Sequence, residues 1–149
     1  SDWAVKGKEI YEELLDLVDR DTQAFNEVMA AYRLPRKSAA EQSVRADAIQ
    51  RAARNAMEVP LLVMEKALDS MAVLEAMASV GNPASVSDAG VGVLCARAAI
   101  RGALLNVKIN AGELEDQELA RELIARGDEI DRLAQGAEQR ILALVADRI

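Results

Sequence analysis

Apolar residues recur along most of this chain at the spacing of a helix, and prolines and glycines cut the pattern into pieces. The first piece spans about 3–33, with Ile10, Leu14, Leu17, Ala24, Val28 and Ala31 stepping by four and three before Pro35 stops it. The second opens at Ser38, where Ser38-Ala-Ala-Glu41 reads as a capping box, and runs to about residue 59. Pro60 is expected to kink it or to begin a new segment, because proline lacks an N–H and crowds the preceding turn. Helical spacing resumes over 61–80, rich in methionine, until Gly81-Asn82-Pro83. A third piece starts at Ser85-Val-Ser-Asp88, a second capping candidate, and reaches about Asn110. A fourth, about 116–149, carries Leu119, Leu123, Ile130, Leu133, Ala137, Ile141 and Leu144 on one face. No strand pattern competes, so the expected fold is all-α: one domain over 1–149, an up-down bundle of long helices.

Two breaks in the pattern carry chemistry. In the first helix the stripe 10, 14, 17, 21, 24, 28, 31 places Asp21 among core positions. A carboxylate there is costly unless it is paired, hydrogen-bonded or facing a wet pocket; the bland alternative is that it snorkels to the surface. In the third helix Asp88, Gly92, Ala96, Ala99, Ala103, Asn106 and Asn110 share one stripe, bare in the middle and polar at both ends. Such a bare stripe invites a second helix, and a two-fold dimer through this small-residue face is the expectation. Asp88 caps its own helix or serves a ligand. Asn106 and Asn110, poor residues for a helix interior, either face a polar target or satisfy a neighbouring helix. Asp88 and Asn106 lie 18 residues apart, about 27 Å along a helix, so one small ligand reaches both only across an antiparallel pair. Glu58 is a lesser candidate, set where a kink at Pro60 would open the backbone. Cys95 and the methionines read as core filler, and Arg97 with Arg101 as a solvated face.

Composition narrows the function. With 51% hydrophobic but only 3% aromatic residues, the core is built of small aliphatic side chains, which suits closely packed helices. The net charge of −7 argues against nucleic-acid binding, which needs a basic face. No run approaches the roughly 18 uninterrupted apolar residues of a membrane span. One cysteine and the absence of a secretory leader point to the cytoplasm. Without histidine, the usual Cys/His zinc site is excluded, and acid–base work near neutral pH falls to carboxylates, lysine, tyrosine or the thiol.

Five segments taken together resemble the cyclodeaminase/cyclohydrolase family of folate enzymes. They are Asp19-Arg-Asp21-Thr-Gln-Ala-Phe25, Ala-Tyr32-Arg-Leu-Pro35, Glu58-Val-Pro60-Leu61, the stretch Gly81-Asn82 to Gly92, and Leu105-Asn106-Val-Lys-Ile109-Asn110. They follow the family's order and spacing over nearly the whole chain. The resemblance implies a helical bundle that dimerises or assembles further as a homo-oligomer. It implies a tetrahydrofolate derivative as substrate, with no metal and no redox cofactor. The implied reaction closes 5-formiminotetrahydrofolate to 5,10-methenyltetrahydrofolate with loss of ammonia. Alternatives are a methenyltetrahydrofolate cyclohydrolase giving 10-formyltetrahydrofolate, or a non-catalytic folate-binding helical dimer. Asp21 is the first choice for the catalytic carboxylate and Asp88 the second. Asn106 and Asn110 are expected to hydrogen-bond the pterin edge or orient a carboxylate, with Ser87 and Glu58 also on the substrate. Family members begin with a glycine-rich helix, and nothing of that kind precedes Trp3. The chain is therefore expected to be a fragment or a naturally short member.

Overall fold

The computed structural model describes residues 2–149, which form four long α-helices and two single-turn 3₁₀ segments. Helix α1 (Asp2–Tyr32) turns through Pro35 into α2 (Ala39–Val80), α3 (Val86–Asn110) follows, and α4 (Gln117–Ala146) closes the chain. Pro60 does not divide the second helix: α2 runs uninterrupted through 42 residues, about 63 Å of rod at ~1.5 Å per residue. Its start is the expected capping box, Ser38 accepting from the Glu41 backbone N–H while the Glu41 carboxylate accepts from that of Ser38. Ser85 does sit at the N-cap of α3, but its side chain makes no capping bond there. Asp116 caps α4 by accepting from the Leu119 N–H at 3.0 Å.

Helices α2, α3 and α4 share one core. Met57, Met64, Met71, Ile100, Ile130 and Ile141 are fully buried in it, a volume that flexible methionines fill without aromatics. The seam of α4 differs from the expected face. Ala120, Gly127, Ala134 and Val145 are buried with Ile130 and Ile141, whereas Leu133 is 41% exposed. Close approach decides this: a Cβ on Gly127 would stand 2.8 Å from Leu104 Cδ1. The small-residue stripe of α3 is likewise partly used inside the chain. A Cβ on Gly92 would meet Leu74 at 2.7 Å, and Ala103 is buried. The stripe thus seats α2, and the face left uncovered lies beside it, at Val91, Leu94, Ala98, Leu105 and Ile109. Cys95, expected in the core, is exposed on that same side.

Helix α1 is held by α2. Its buried residues, Ile10, Leu17, Ala24 and Ala31, recur every seven positions, the seam of a two-helix coil. Its flank leaves Tyr11, Leu15, Val18, Phe25, Met29 and Tyr32 exposed, again at helical spacing. One segment among the described residues, Pro83–Glu113, is long and apolar enough by length and composition to cross a membrane, and only a third of its most apolar window is buried.

Arg97 is not a solvated surface residue. Its side chain, 12% exposed, pairs with Asp131 and, at 3.1 Å, with Glu138 of α4, while Arg101 reaches the other oxygen of Asp131. Burial pushes the Asp131 carboxyl up, but the hydrogen bond and charge of Arg97, with Arg101 behind it, outweigh that and hold it below its ordinary 3.8. A carboxyl with a depressed folded-state value stabilises the fold above its unfolded pKa and loses that contribution as pH falls through the folded value. Asp131→Asn should therefore lower the unfolding free energy by about 1–3 kcal/mol at pH 7. The difference from wild type should shrink below about pH 4. Urea titrations at pH 7, 5 and 3 test this; a penalty independent of pH would show that charge is not its source.

Candidate functional site

A proline in a helix interior removes the N–H that would bond the carbonyl four residues earlier. Here Pro60 leaves the Ala56 carbonyl without its helical partner. Asn110, in the last turn of α3, supplies one: its Nδ2 donates to Ala56 O at 2.9 Å. The asparagine thus does satisfy a neighbouring helix, at a gap in its middle and not at its end. Its Oδ1 stays free to accept, because the described residues offer it no donor.

Around this bond α1 and α3 stand on either side of α2 without closing over it. The resulting cleft has a volume of about 300 Å³, with Ala24 and Ala56 among its lining. Asp21, Phe25 and Val28 of α1 line one side, and Asn106, Ile109 and Asn110 of α3 the other. Asp21, which breaks the apolar stripe of α1, is exposed toward this cleft and has no hydrogen-bond or ion-pair partner among the described residues. The Asn106 amide likewise has no hydrogen-bond partner among the described residues. Phe25 and Ile109 form a rim that is 64% and 76% exposed. A carboxylate, two amides and an apolar rim can stabilise a positive charge on a flat heteroaromatic ligand and hydrogen-bond its edge.

The other sequence candidates lie elsewhere. Glu58 is two residues from Ala56, about 200° around the helix, and its carboxylate pairs with Arg54 at 2.7 Å. The opening at Pro60 that was expected to favour Glu58 is filled from the opposite side by Asn110. Ser87 and Asp88 are exposed in the first turn of α3, roughly 27 Å from Asn106, and Asp88 does not cap its helix. Within one chain they do not join the cleft. Among the described residues no three or more metal-ligating side chains converge.

Sequence reasoning did not single out Tyr32 and Glu113. The Tyr32 hydroxyl donates to the Glu113 carboxylate across 81 residues. That bond, with burial and the Glu113 charge, holds the phenol above its ordinary 10.0 against the opposing charge of Arg45. The signal available was position: Tyr32 belongs to the segment 31–35, and Glu113 lies one turn beyond Asn110.

The comparisons with known proteins agree on one group. A family model described as formiminotransferase-cyclodeaminase matches residues 1–129. The methenyltetrahydrofolate cyclohydrolase of Methylorubrum extorquens is 35% identical over 136 residues, 91% of this chain and 65% of that protein. The formimidoyltransferase-cyclodeaminase of Gallus gallus is 34% identical over 140 residues, 92% of this chain and 25% of that protein. The chain therefore spans less than two thirds of either relative. The crystal structure of formiminotetrahydrofolate cyclodeaminase from Thermotoga maritima superposes with a TM-score of 0.80 at 27% identity, over 94% of this chain and 66% of that one.

If the Asn110 amide and the Ala56 carbonyl work as a pair, their energies are coupled through Pro60. Asn110→Ala should cost about 1–3 kcal/mol by leaving the carbonyl unmet. In a Pro60→Ala background the restored backbone N–H takes that carbonyl, and the same change should cost about 1 kcal/mol less. Urea unfolding of the four proteins measures the coupling; strictly additive penalties would dissolve the pair.

Proposed function

Because the chain belongs to the formiminotransferase-cyclodeaminase family, we propose that it cyclises 5-formiminotetrahydrofolate to 5,10-methenyltetrahydrofolate and releases ammonia, using the cleft between α1 and α3. The observation that carries this reading is the convergence of Asp21, Asn106 and Asn110 on one cleft. N10 attacks the formimino carbon, the new C–N bond closes the five-membered ring, and the C–NH₂ bond breaks. N10 gives up one proton, the departing nitrogen gains one, and the ring keeps a positive charge. Asp21 receives the N10 proton, passes it to the departing nitrogen and then faces the cationic ring as a carboxylate. Asn106 supplies amide donors and Asn110 its free carbonyl oxygen, holding the pterin so that N10 stays near the carbon. No metal or redox group enters the scheme.

The cyclohydrolase reading has one observation in its favour, the Methylorubrum extorquens relative of that name. In it water adds to the methenyl carbon, the N5–C bond opens as N5 takes up one proton, a second proton is released, and 10-formyltetrahydrofolate forms. Both reactions pass the same cationic ring across the same carboxylate. The methenyl chromophore separates them: it should appear from 5-formiminotetrahydrofolate with one ammonia per turnover, whereas a cyclohydrolase would only hasten its loss. Asp21→Asn, at an exposed position, should lower kcat at least about 100-fold with the unfolding midpoint unchanged. Turnover at the wild-type rate in that variant would remove Asp21 from the mechanism.

The reading includes a homodimer working in the cytoplasm, where the exposed Cys95 thiol stays reduced. Two exposed apolar helix flanks, on α1 and α3, support the dimer. Two α3 helices crossing antiparallel near Ala98 would bring Ser87 and Asp88 of the partner subunit toward Asn106 and Asn110, an arrangement in which all four share a site. Cover from a second copy would also dry the cleft and strengthen its electrostatics. Ala98 is exposed, so Ala98→Glu should leave the chain folded and convert a dimer to monomer in sedimentation equilibrium, with loss of turnover. An unaltered, active dimer would place the interface elsewhere.

A further inference from the structure

Beyond the cleft lies a second cavity of only about 20 Å³, bounded by Tyr32 and Glu113, that shares Val28, Ala56 and Asn110 with it. The two adjoin as one crevice, with Asp21 toward one end and the Tyr32–Glu113 pair at the other, and a ring seated in the cleft along Val28 and Ala56 presents only its edge to Glu113. We propose that Glu113, positioned by Tyr32, is the specificity carboxylate that receives the pyrimidine edge of the reduced pterin, orienting the substrate with its arylamine toward Asp21. The inference rests on the folate reading above and adds the substrate's direction in the crevice.

The carboxylate is held from several sides. The Tyr32 hydroxyl donates to Glu113 Oε2. The Tyr32 ring lies under the Arg45 guanidinium, 5.5 Å from its carbon to the ring centroid. Arg45 also donates twice to the Tyr32 carbonyl, at 3.3 and 3.2 Å. On the other side, Gln50 Nε2 donates to the Glu113 carbonyl at 3.2 Å, and Gln50 Oε1 accepts from the Glu115 N–H at 2.8 Å. The last turn of α1 and the turn after α3 are thereby fixed relative to α2, and Glu113 Oε1 is left without a partner among the described residues.

A 2-amino-4-oxopyrimidine edge presents an amino group and a ring N–H side by side, two parallel donors that match the two oxygens of a carboxylate. The crevice offers no other unpaired carboxylate at that end, and a ring entering there would lie along Val28 and Ala56. Asp21 and Tyr32 are 11 residues apart on α1, about 16 Å along the axis at ~1.5 Å per residue. Between the pyrimidine edge and N10 lie the two fused rings and the methylene bridge, and the reach of the two carboxyl side chains makes up the rest of that span. One carboxylate thus reads the substrate's identity while the other meets the reacting carbon.

The experiment is calorimetric binding of 5-formyltetrahydrofolate, the stable oxygen analogue of the formimino substrate, and of its 2-desamino-2-methyl counterpart. Wild type should prefer the amino compound on the order of 10- to 100-fold, the worth of one charge-assisted pair of hydrogen bonds. Glu113→Gln, close in size and at an exposed position, should bring the two affinities within about threefold, because a neutral amide cannot accept both donors. Tyr32→Phe, which frees the carboxylate to move, should give an intermediate preference with the unfolding midpoint kept. Equal binding of the two compounds by wild type, or a wild-type preference in Glu113→Gln, would overturn the assignment while leaving the folate reading intact. Failure of wild type to bind 5-formyltetrahydrofolate at all would overturn both.

Discussion

One missing hydrogen bond organises this molecule. A 42-residue helix with a buried proline in its middle must leave one carbonyl unmet, and burying that group unpaired would cost more than most single contacts contribute. The Asn110 amide from α3 meets it, so the end of α3 is pinned to the middle of α2 by a directional contact and not by packing alone. The residue that carries this carbonyl, Ala56, is small, and Ala24 of α1, also small, lines the same cleft. Small residues on the floor and helices held on either side leave a cleft. The same asparagine that closes the defect faces that cleft with its remaining oxygen, so the repair of the spine and the chemistry of the site share one side chain.

Most of the architecture was legible because helical spacing, the Ser38–Glu41 capping box and the Gly81-Asn82-Pro83 stop are local signals. The misreadings have a common cause. Pattern reasoning ranks large aliphatics as core, but two helices at close range bury the small residues and turn large neighbours outward. That is why Ala134 is buried and Leu133 exposed, and why Gly92 and Ala103 serve α2 when they had looked free for a second chain. Arg97 erred the other way: charge suggested solvent, yet Asp131 and Glu138 meet it between α3 and α4. Their placement depends on the register of two helices some 35 to 40 residues apart, which no local window contains.

The site divides along the same line. Asp21 and the two asparagines were visible because each violates its own helix's pattern, and a violation that survives folding needs a reason. Glu58, the lesser candidate, rested on its nearness to Pro60, and that spacing alone did not fix its direction around α2. Ser87 and Asp88 were readable both as polar and as distant, since one helix carries Asp88 and Asn106 about 27 Å apart, and α3 runs unbroken between them. Tyr32 and Glu113 carry no local anomaly at all. A tyrosine at a helix end and a glutamate in a turn are ordinary, and their pairing appears only when 81 residues of intervening chain bring them together.

The distribution of apolar surface completes the argument. A chain of net charge −7 has ample polar residues to cover itself, yet α1 and α3 each leave large aliphatic or aromatic side chains in water, and one from each flank, Phe25 and Ile109, lines the cleft. Scattered exposed apolar residues need no explanation, but two helical stripes beside the same opening do. The stripe on α3 is what makes Pro83–Glu113 apolar enough to resemble a membrane span: one side packs on α2 and α4, and the other is still uncovered. The cleft thus combines a small-residue floor, a polar lining and an apolar margin, Phe25 and Ile109, that stays in water. The proposed second α3, crossing near Ala98, would supply cover and would bring up Ser87 and Asp88, which a single chain keeps far from the cleft.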